Sequence, residues 1–278
     1  QFHNWLHNTS DKISNLDLLN NYLILYKKCF PVFKKNIEYF RWLYNANPMG
    51  KYIGIDAFDG DKLVGQIGGI PYDFKFHNNK IRTIVSINIC IDKLYRGGQI
   101  FHKLSSSFEK LLIKNNYDLL IAIGNKMASP AWIRSLNMKN LGQLKSYLGL
   151  CDFSKTDVNL KDYNFFMDWQ LDTIKWRCSN PNKKTELIKY KNKKLVLAKT
   201  NIPLINAYTI FPYDINNEIK NLHIDFNLKT YIGFCNEIKD SFFFRKIPQI
   251  LKPSPLNFLY KFLKKDYDLK ESEVFFLF

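Results

Sequence analysis

Long apolar runs are missing from this sequence. The longest strongly apolar stretch, Leu119 to Ile123, is far short of the ~20 residues that cross a bilayer as a helix. A soluble protein without a membrane span is expected, and no segment has the charged, apolar and small-residue order of a removable signal. Paired cysteines are missing too. Cys29, Cys90, Cys151, Cys178 and Cys235 are scattered, odd in number and without a Cys-x-x-Cys pair, which argues against a disulfide framework or a zinc site. A reducing, cytoplasmic setting follows. His3, His7, His77, His102 and His223 do not cluster, so no metal is expected, and no residue sits in a nucleophile-elbow context.

Glycine is scarce in one half and acid is scarce throughout. Eleven of the 12 glycines precede residue 150, leaving Gly233 alone in the remainder. A backbone loop that folds tightly around phosphates needs glycine, so such a loop belongs to the first half. Lys and Arg number 41 against 25 Asp and Glu, a net charge of +16. A surface this basic attracts phosphates, whether of nucleic acid, headgroup or cofactor.

What is present describes a globular chain. Its 278 residues, 46% hydrophobic and 16% aromatic, suit about two domains. Apolar spacing predicts helices over Leu16–Phe30 and Asn36–Tyr44, the second stopped by Asn47-Pro48. Strands are expected at Tyr52–Asp59, Lys62–Tyr72, Phe74–His77 and Ile81–Asp92, with a hairpin at Asp59-Gly60-Asp61. A helix over Gly98–Asn115, a buried strand at Leu119–Ile123, a helix at Pro130–Leu136 and a strand at Leu141–Leu150 follow. Hairpins feeding a strand-helix-strand unit give an α/β fold with a mixed sheet and helices on both faces. The domains are expected to be 1–155 and 156–278.

The chemistry concentrates on one strand and the turn behind it. In Ser86 to Asp92, Ile87, Ile89 and Ile91 alternate with Ser86, Asn88, Cys90 and Asp92, and a period of two sends the sets to opposite faces. Lys93-Leu94-Tyr95-Arg96-Gly97-Gly98 then leads into a helix starting near Gln99. A strand, a basic glycine turn and a helix N-terminus together offer free N–H groups and a positive dipole end, a site for a diphosphate.

These residues resemble the GNAT acyltransferase superfamily, N-acetyltransferases that use acetyl-CoA. That family's pyrophosphate loop reads Arg/Gln-x-x-Gly-x-Gly/Ala, and Arg96-Gly97-Gly98-Gln99-Ile100-Phe101 stands in its place, with Gln99 for the middle Gly and Phe101 for the last small residue. Leu120 to Trp132 is similar to the family's fifth strand and its exit, where Asn125 and Ser129 would touch the coenzyme. The family's thiolate-protonating Tyr is replaced by Ile133. Phe40 to Gly50 and Asp59 to Gly65 resemble a bacterial subgroup that acetylates nucleotide-linked amino-dideoxy-sugars and carries a second, degenerate GNAT-like half. By that resemblance Arg41, Trp42 and Asn47 would meet the substrate. Trp176 to Asn180-Pro181 echoes Trp42 to Asn47-Pro48, and Phe242-Phe243-Phe244-Arg245-Lys246 and Lys252 to Asn257 would cover the acceptor.

The resemblance implies direct attack of an amine on a thioester held in a split between the fourth and fifth strands. Ile89, Cys90 and Ile91 would line the coenzyme, and a backbone N–H near Cys90 or Ile91 would bind the carbonyl. Asn88 could hold substrate or a water, and His77, expected on the neighbouring strand, is the one nearby group that titrates close to neutrality. A bound water is the expected proton acceptor, and Cys90 reads as an inert packed thiol. The expected partner is a nucleotide-linked aminosugar rather than nucleic acid. Two alternatives stay open: acyl transfer to an amino acid, peptide or antibiotic amine, and a basic nucleic-acid-binding protein without enzymatic activity.

Overall fold

The computed structural model describes residues 6–277 other than 13, 31–33, 98, 150–158, 183–184, 191–192, 200–204, 212–219, 222–227, 240–243 and 249–253. Gly98, Cys151, Phe242, Phe243, Lys252 and Pro253 therefore lie outside the described residues.

After β1 (Leu6–Asn8), the first two helices begin at asparagine caps. Asn15 accepts the N–H groups of Asp17 and Leu18 to open α1 (Leu16–Cys29), which buries Leu18, Leu19, Tyr22, Leu25 and Tyr26 along one stripe. Asn36 accepts the N–H of Tyr39 at the start of α2 (Ile37–Asn45), which ends before Asn47-Pro48 as expected. β2 (Ile53–Asp59) and β3 (Lys62–Phe76) form an antiparallel hairpin through Gly60, whose φ is +57°. β1 adds to the outer side of β2. β3 runs unbroken through Phe76, so the separate strand expected at Phe74–His77 is its far end. The chain turns at His77 and Asn78, both left-handed, and returns as β4 (Asn79–Ser86).

The strand expected over Ile81–Asp92 is interrupted at residues 87–89 and resumes as β5 (Cys90–Ile91), paired with β3 at Gln66 and Gly65. α3 (Ile100–Lys114) crosses to β6 (Leu119–Gly124), which lies parallel to β4, and α4 (Ala128–Leu136) follows. The next elements are β7 (Lys139–Gln143), β8 (Lys145–Gly149), β9 (Phe165–Met167) and α5 (Leu171–Cys178). Then come β10 (Thr185–Tyr190), β11 (Lys193–Lys199), β12 (Ile205–Phe211), β13 (Lys220–Asn221), β14 (Leu228–Phe234) and α6 (Asn236–Lys239). β15 (Phe244–Lys246), β16 (Asn257–Phe262) and β17 (Val274–Leu277) close the chain.

The chain divides into two units, residues 1–72, 81–140 and 257–267 in the first, and 73–80, 141–256 and 268–278 in the second. This corrects the contiguous cut at 155/156. Residues 257–267 join the first unit because β16 pairs antiparallel with β6 from Asn257–Gly124 to Phe262–Leu119, covering an edge that would otherwise stay open.

Within the first unit, strand alternation sorts the two helix layers. Ile53, Ile55 and Ala57 of β2 share a core with Leu104, Phe108 and Leu112 of α3 and Trp132 and Leu136 of α4. The intervening face meets the tyrosines of α1 and α2. In the second unit, β10, β11 and β12 form an antiparallel meander, β12 runs parallel to β14, and β14 is antiparallel to β8.

Candidate active site

β4 pairs in parallel with β6 from Thr83–Leu119 to Ser86–Ala122. Asn88 then adopts a left-handed φ of +52°, a conformation that asparagine tolerates better than most residues. This bulge turns the chain so that β5 rejoins β3, while β6 continues to Gly124 against β16. A split opens between neighbouring strands at that point.

Hydrogen-bond alternation decides which amides line the split. Asp92 N–H donates to the Val64 carbonyl at 2.9 Å. The pair two residues back, Cys90 with Gln66, belongs to the same class, and Ile91 with Gly65 belongs to the other. Ile91 therefore turns its N–H and carbonyl away from β3. The Ile91 carbonyl accepts Arg96 Nε at 3.0 Å. The Ile89 and Ile91 side chains pack with α3 and α4, whereas Asn88 and Cys90 face α1 and α2. The predicted two-faced strand is present.

The turn behind β5 matches the needs of a diphosphate. Gly97 has φ +90°, and nothing lies within 4 Å of where a Cβ would stand. Gln99, at φ +65°, caps α3 without a side-chain bond, so no side chain of its own occupies the helix's first amides. Arg96 is exposed beside them. Phe101 sits edge-on to Trp132, with ring centroids 5.4 Å apart, tying the start of α3 to α4.

Residues 14–131 match the family described as acetyltransferase (GNAT) domain. Over that stretch the chain is similar to a GNAT acetyltransferase domain. A protein of Amsacta moorei entomopoxvirus that bears the name glycylpeptide N-tetradecanoyltransferase is 27% identical over 234 residues, 78% of this chain and 74% of that protein. Among solved structures, a GCN5-related N-acetyltransferase from Anabaena variabilis shares the fold at TM-score 0.61 and 10% identity, covering 93% of this chain and 73% of that one. Saccharomyces cerevisiae N-myristoyltransferase, solved with myristoyl-CoA and inhibitors, does so at TM-score 0.58 and 10% identity, covering 94% and 80%. The fold is the mixed α/β fold of GNAT acyltransferases and the chain is an acyltransferase with an acyl-CoA donor. No helix among the described residues is long and apolar enough to cross a membrane, and no group of three or more His, Cys, Asp or Glu among them could hold a metal.

Several of the expected contact residues make hydrogen bonds within the fold. Asn125 Oδ1 accepts the N–H groups of Met127 and Ala128 at 3.0 and 2.8 Å, a cap that starts α4. Ser129 is buried, donating to the Asn125 carbonyl and accepting Asn257 Nδ2. Asn47 is also buried, its Nδ2 donating to the Pro71 carbonyl at 2.9 Å and its Oδ1 accepting Met49 N–H at 3.1 Å. Arg41 is exposed and paired with Glu38 at 2.6 Å, and Trp42 stacks obliquely near Tyr39. His77 is no strand residue: it occupies an exposed turn of the second unit. Ile133 is 38% exposed on α4 and carries no acid.

Cys90 is also corrected. It forms a disulfide with Cys29 at the end of α1. Sixty-one residues separate the two, so no local spacing announced the pairing.

A buried set of hydroxyls is the other feature that went unread. Tyr22, Tyr26, Tyr44 and Tyr52 are sealed beneath α1 and α2, and burial raises the pKa of each above its ordinary value. Tyr22 OH donates to Asp56 Oδ2 at 2.7 Å. Asp56 is fully buried, and desolvation pushes its carboxyl up to about 7 against the opposing bonds from Tyr22 and Thr9. Tyr52 lies in the space that side chains at 54 and 68 would need, which explains Gly54 and Gly68 directly opposite each other. The legible signal was the stripe on α1 and α2 itself, where Tyr stands at positions that Leu or Phe would fill more simply.

Proposed function

We propose that this acyltransferase moves a fatty acyl group from acyl-CoA to the amine of an N-terminal glycine in a peptide. The observation that carries this reading is the 27% identity over 78% of the chain to the entomopoxvirus protein, a match reaching beyond residues 14–131 into the second unit. The turn at Arg96–Gln99 would hold the coenzyme's diphosphate, and the N–H groups of Ile89 and Ile91 would bind the thioester carbonyl. The donor supplies an activated acyl group. Attack forms the C–N bond and breaks the C–S bond, and the proton lost by nitrogen ends on the thiol. No covalent enzyme intermediate is required. We further infer that the second unit is a GNAT-like half without a phosphate turn, supported by its parallel β12–β14 pair and its lack of glycine between Gly149 and Gly233.

Calorimetric titration with tetradecanoyl-CoA and acetyl-CoA, on the wild type and Arg96→Ala, tests the coenzyme site. Thiol release is then followed with a Gly-led octapeptide, its Ala-led counterpart and a nucleotide-linked aminosugar, the acceptor expected from residues 40–65. Release with the Gly-led peptide alone supports the reading. Release with the aminosugar alone replaces the acceptor, and binding of neither coenzyme overturns the donor.

A further inference from the structure

The conformation of the split rests on one residue in a costly backbone state. Asn88 is left-handed, and two buried tyrosines hold it from different helices. Tyr26 OH of α1 donates to the Asn88 carbonyl at 2.6 Å, and Asn88 Nδ2 donates to Tyr44 OH of α2 at 3.2 Å. The two hydroxyls bond each other at 3.1 Å. Both rings are fully buried, so neither hydroxyl can exchange its partner for water.

Proton counting shows how the network closes. Tyr26 has one proton, yet it faces two carbonyl-type acceptors, Asn88 O and Gln66 Oε1, while Gln66 Nε2 is buried without a partner. Rotating the Gln66 amide by a half turn, an orientation that is assigned rather than observed, removes both difficulties. Nε2 then donates to the Tyr26 oxygen, and Oε1 can accept from the Tyr52 hydroxyl, which is likewise buried without a hydrogen-bond partner. Tyr26 keeps its proton for Asn88, and Tyr44 gives its own to Tyr26. Gln66 stands in register with Cys90, so the same cluster is seated at both sides of the bulge.

We propose that the Tyr26–Tyr44 hydroxyl pair is a positioning device that holds the Asn88 bulge, and through it aims the Ile89 and Ile91 N–H groups at the thioester carbonyl. The inference rests on the donor site proposed above. The phosphate turn lies outside this cluster, so affinity and carbonyl polarisation separate.

Tetradecanoyl-CoA labelled with 13C at the thioester carbonyl is bound without acceptor to the wild type, Tyr26→Phe, Tyr44→Phe and the double variant, with folding checked by circular dichroism. In the wild type the carbonyl stretch should move to lower wavenumber than in water. Each variant should keep coenzyme affinity within twofold and lose at least half of that shift, with thiol release on the peptide falling about tenfold. A shift retained in both single variants overturns the proposal, as does a loss of affinity in step with the shift. If Tyr26→Phe does not fold, Tyr44→Phe decides alone; if neither folds, the hydroxyls are structural supports and the proposal fails. A wild type that binds neither tetradecanoyl-CoA nor acetyl-CoA would instead sink the donor assignment.

Discussion

In the first unit residues 87–118 join the parallel strands β4 and β6 and include a bulge, a glycine turn and α3; in the second, residues 212–227 join the parallel strands β12 and β14 and contain no glycine. Both units precede the crossing with an antiparallel hairpin and a third strand, and both pair the far side of the second parallel strand with a strand from a distant part of the chain, β16 on β6 and β8 on β14. Even the entry turn repeats. Asn47 Oδ1 accepts Met49 N–H at 3.1 Å after α2, and Asn180 Oδ1 accepts Asn182 N–H at 2.9 Å after α5. One strand order thus serves two different crossings. Among the described residues, the exposed turn with its missing Cβ at Gly97 belongs to the first crossing.

The polar interiors differ in the same direction. The buried carboxylate of the second unit, Asp168, has Lys75 at 3.6 Å and Gln170 at 3.2 Å. Asp56 in the first unit meets hydroxyls, and no cation among the described residues pairs with it. The cysteines divide likewise, with Cys29 joined to Cys90 while Cys178 and Cys235 form no disulfide.

The largest expected effect tests the unpaired carboxylate. The folded-state pKa of Asp56, about 7, lies above its ordinary 3.8, so the fold binds a proton that the unfolded chain has released. That protonation contributes stability present at acid pH and lost as pH rises from about 4 through 7. Asp56→Asn should therefore gain up to about 4 kcal/mol at pH 8 and change little near pH 4, a three-unit shift converted to energy. Denaturant melts at both pH values check this, and equal effects at each would deny the buried proton.

Gly97→Val should come next, weakening acyl-CoA binding about a hundredfold in calorimetry. The valine would need a φ of +90° and would fill the space beside the helix end. Reducing the Cys29–Cys90 bridge should lower stability by about 2–4 kcal/mol, while Cys178→Ser, on the unit without a bridge, should make the protein no less sensitive to reductant. The smallest contrast concerns the two entry turns. Asn47→Ala should cost about 2 kcal/mol by stranding the Pro71 carbonyl and Met49 N–H, and Asn180→Ala, less buried, about 0.5–1 kcal/mol. Equal costs would mean that the turns do the same work in both units.

Much of the first unit was legible because its signals are local. Asn15 and Asn36 cap helices that begin within a residue or so of their expected starts, and Asp59-Gly60-Asp61 turns the hairpin where the pattern placed it. The turn at Arg96 and Gly97 could be read because glycine before a helix marks a left-handed backbone, and Gly97 has a φ of +90°. The hydrogen bonds that Asn47, Asn125 and Ser129 make within the fold were not legible, because a structural polar side chain and a ligand contact draw on the same residue types. His77 was placed on a strand because alternation does not reveal where a strand stops.

Alternation along residues 86–92, glycine concentrated in the first half and apolar spacing are properties of neighbours in the chain, and they sufficed for most element types of the first unit and the two faces of the central strand. The pairing of Cys29 with Cys90, the recruitment of residues 257–262 to the edge of β6 and the convergence of Tyr22, Tyr26, Tyr44, Asp56 and Gln66 join positions far apart in sequence. Those depend on which surfaces bury one another when the sheet closes, and no local pattern carries that information.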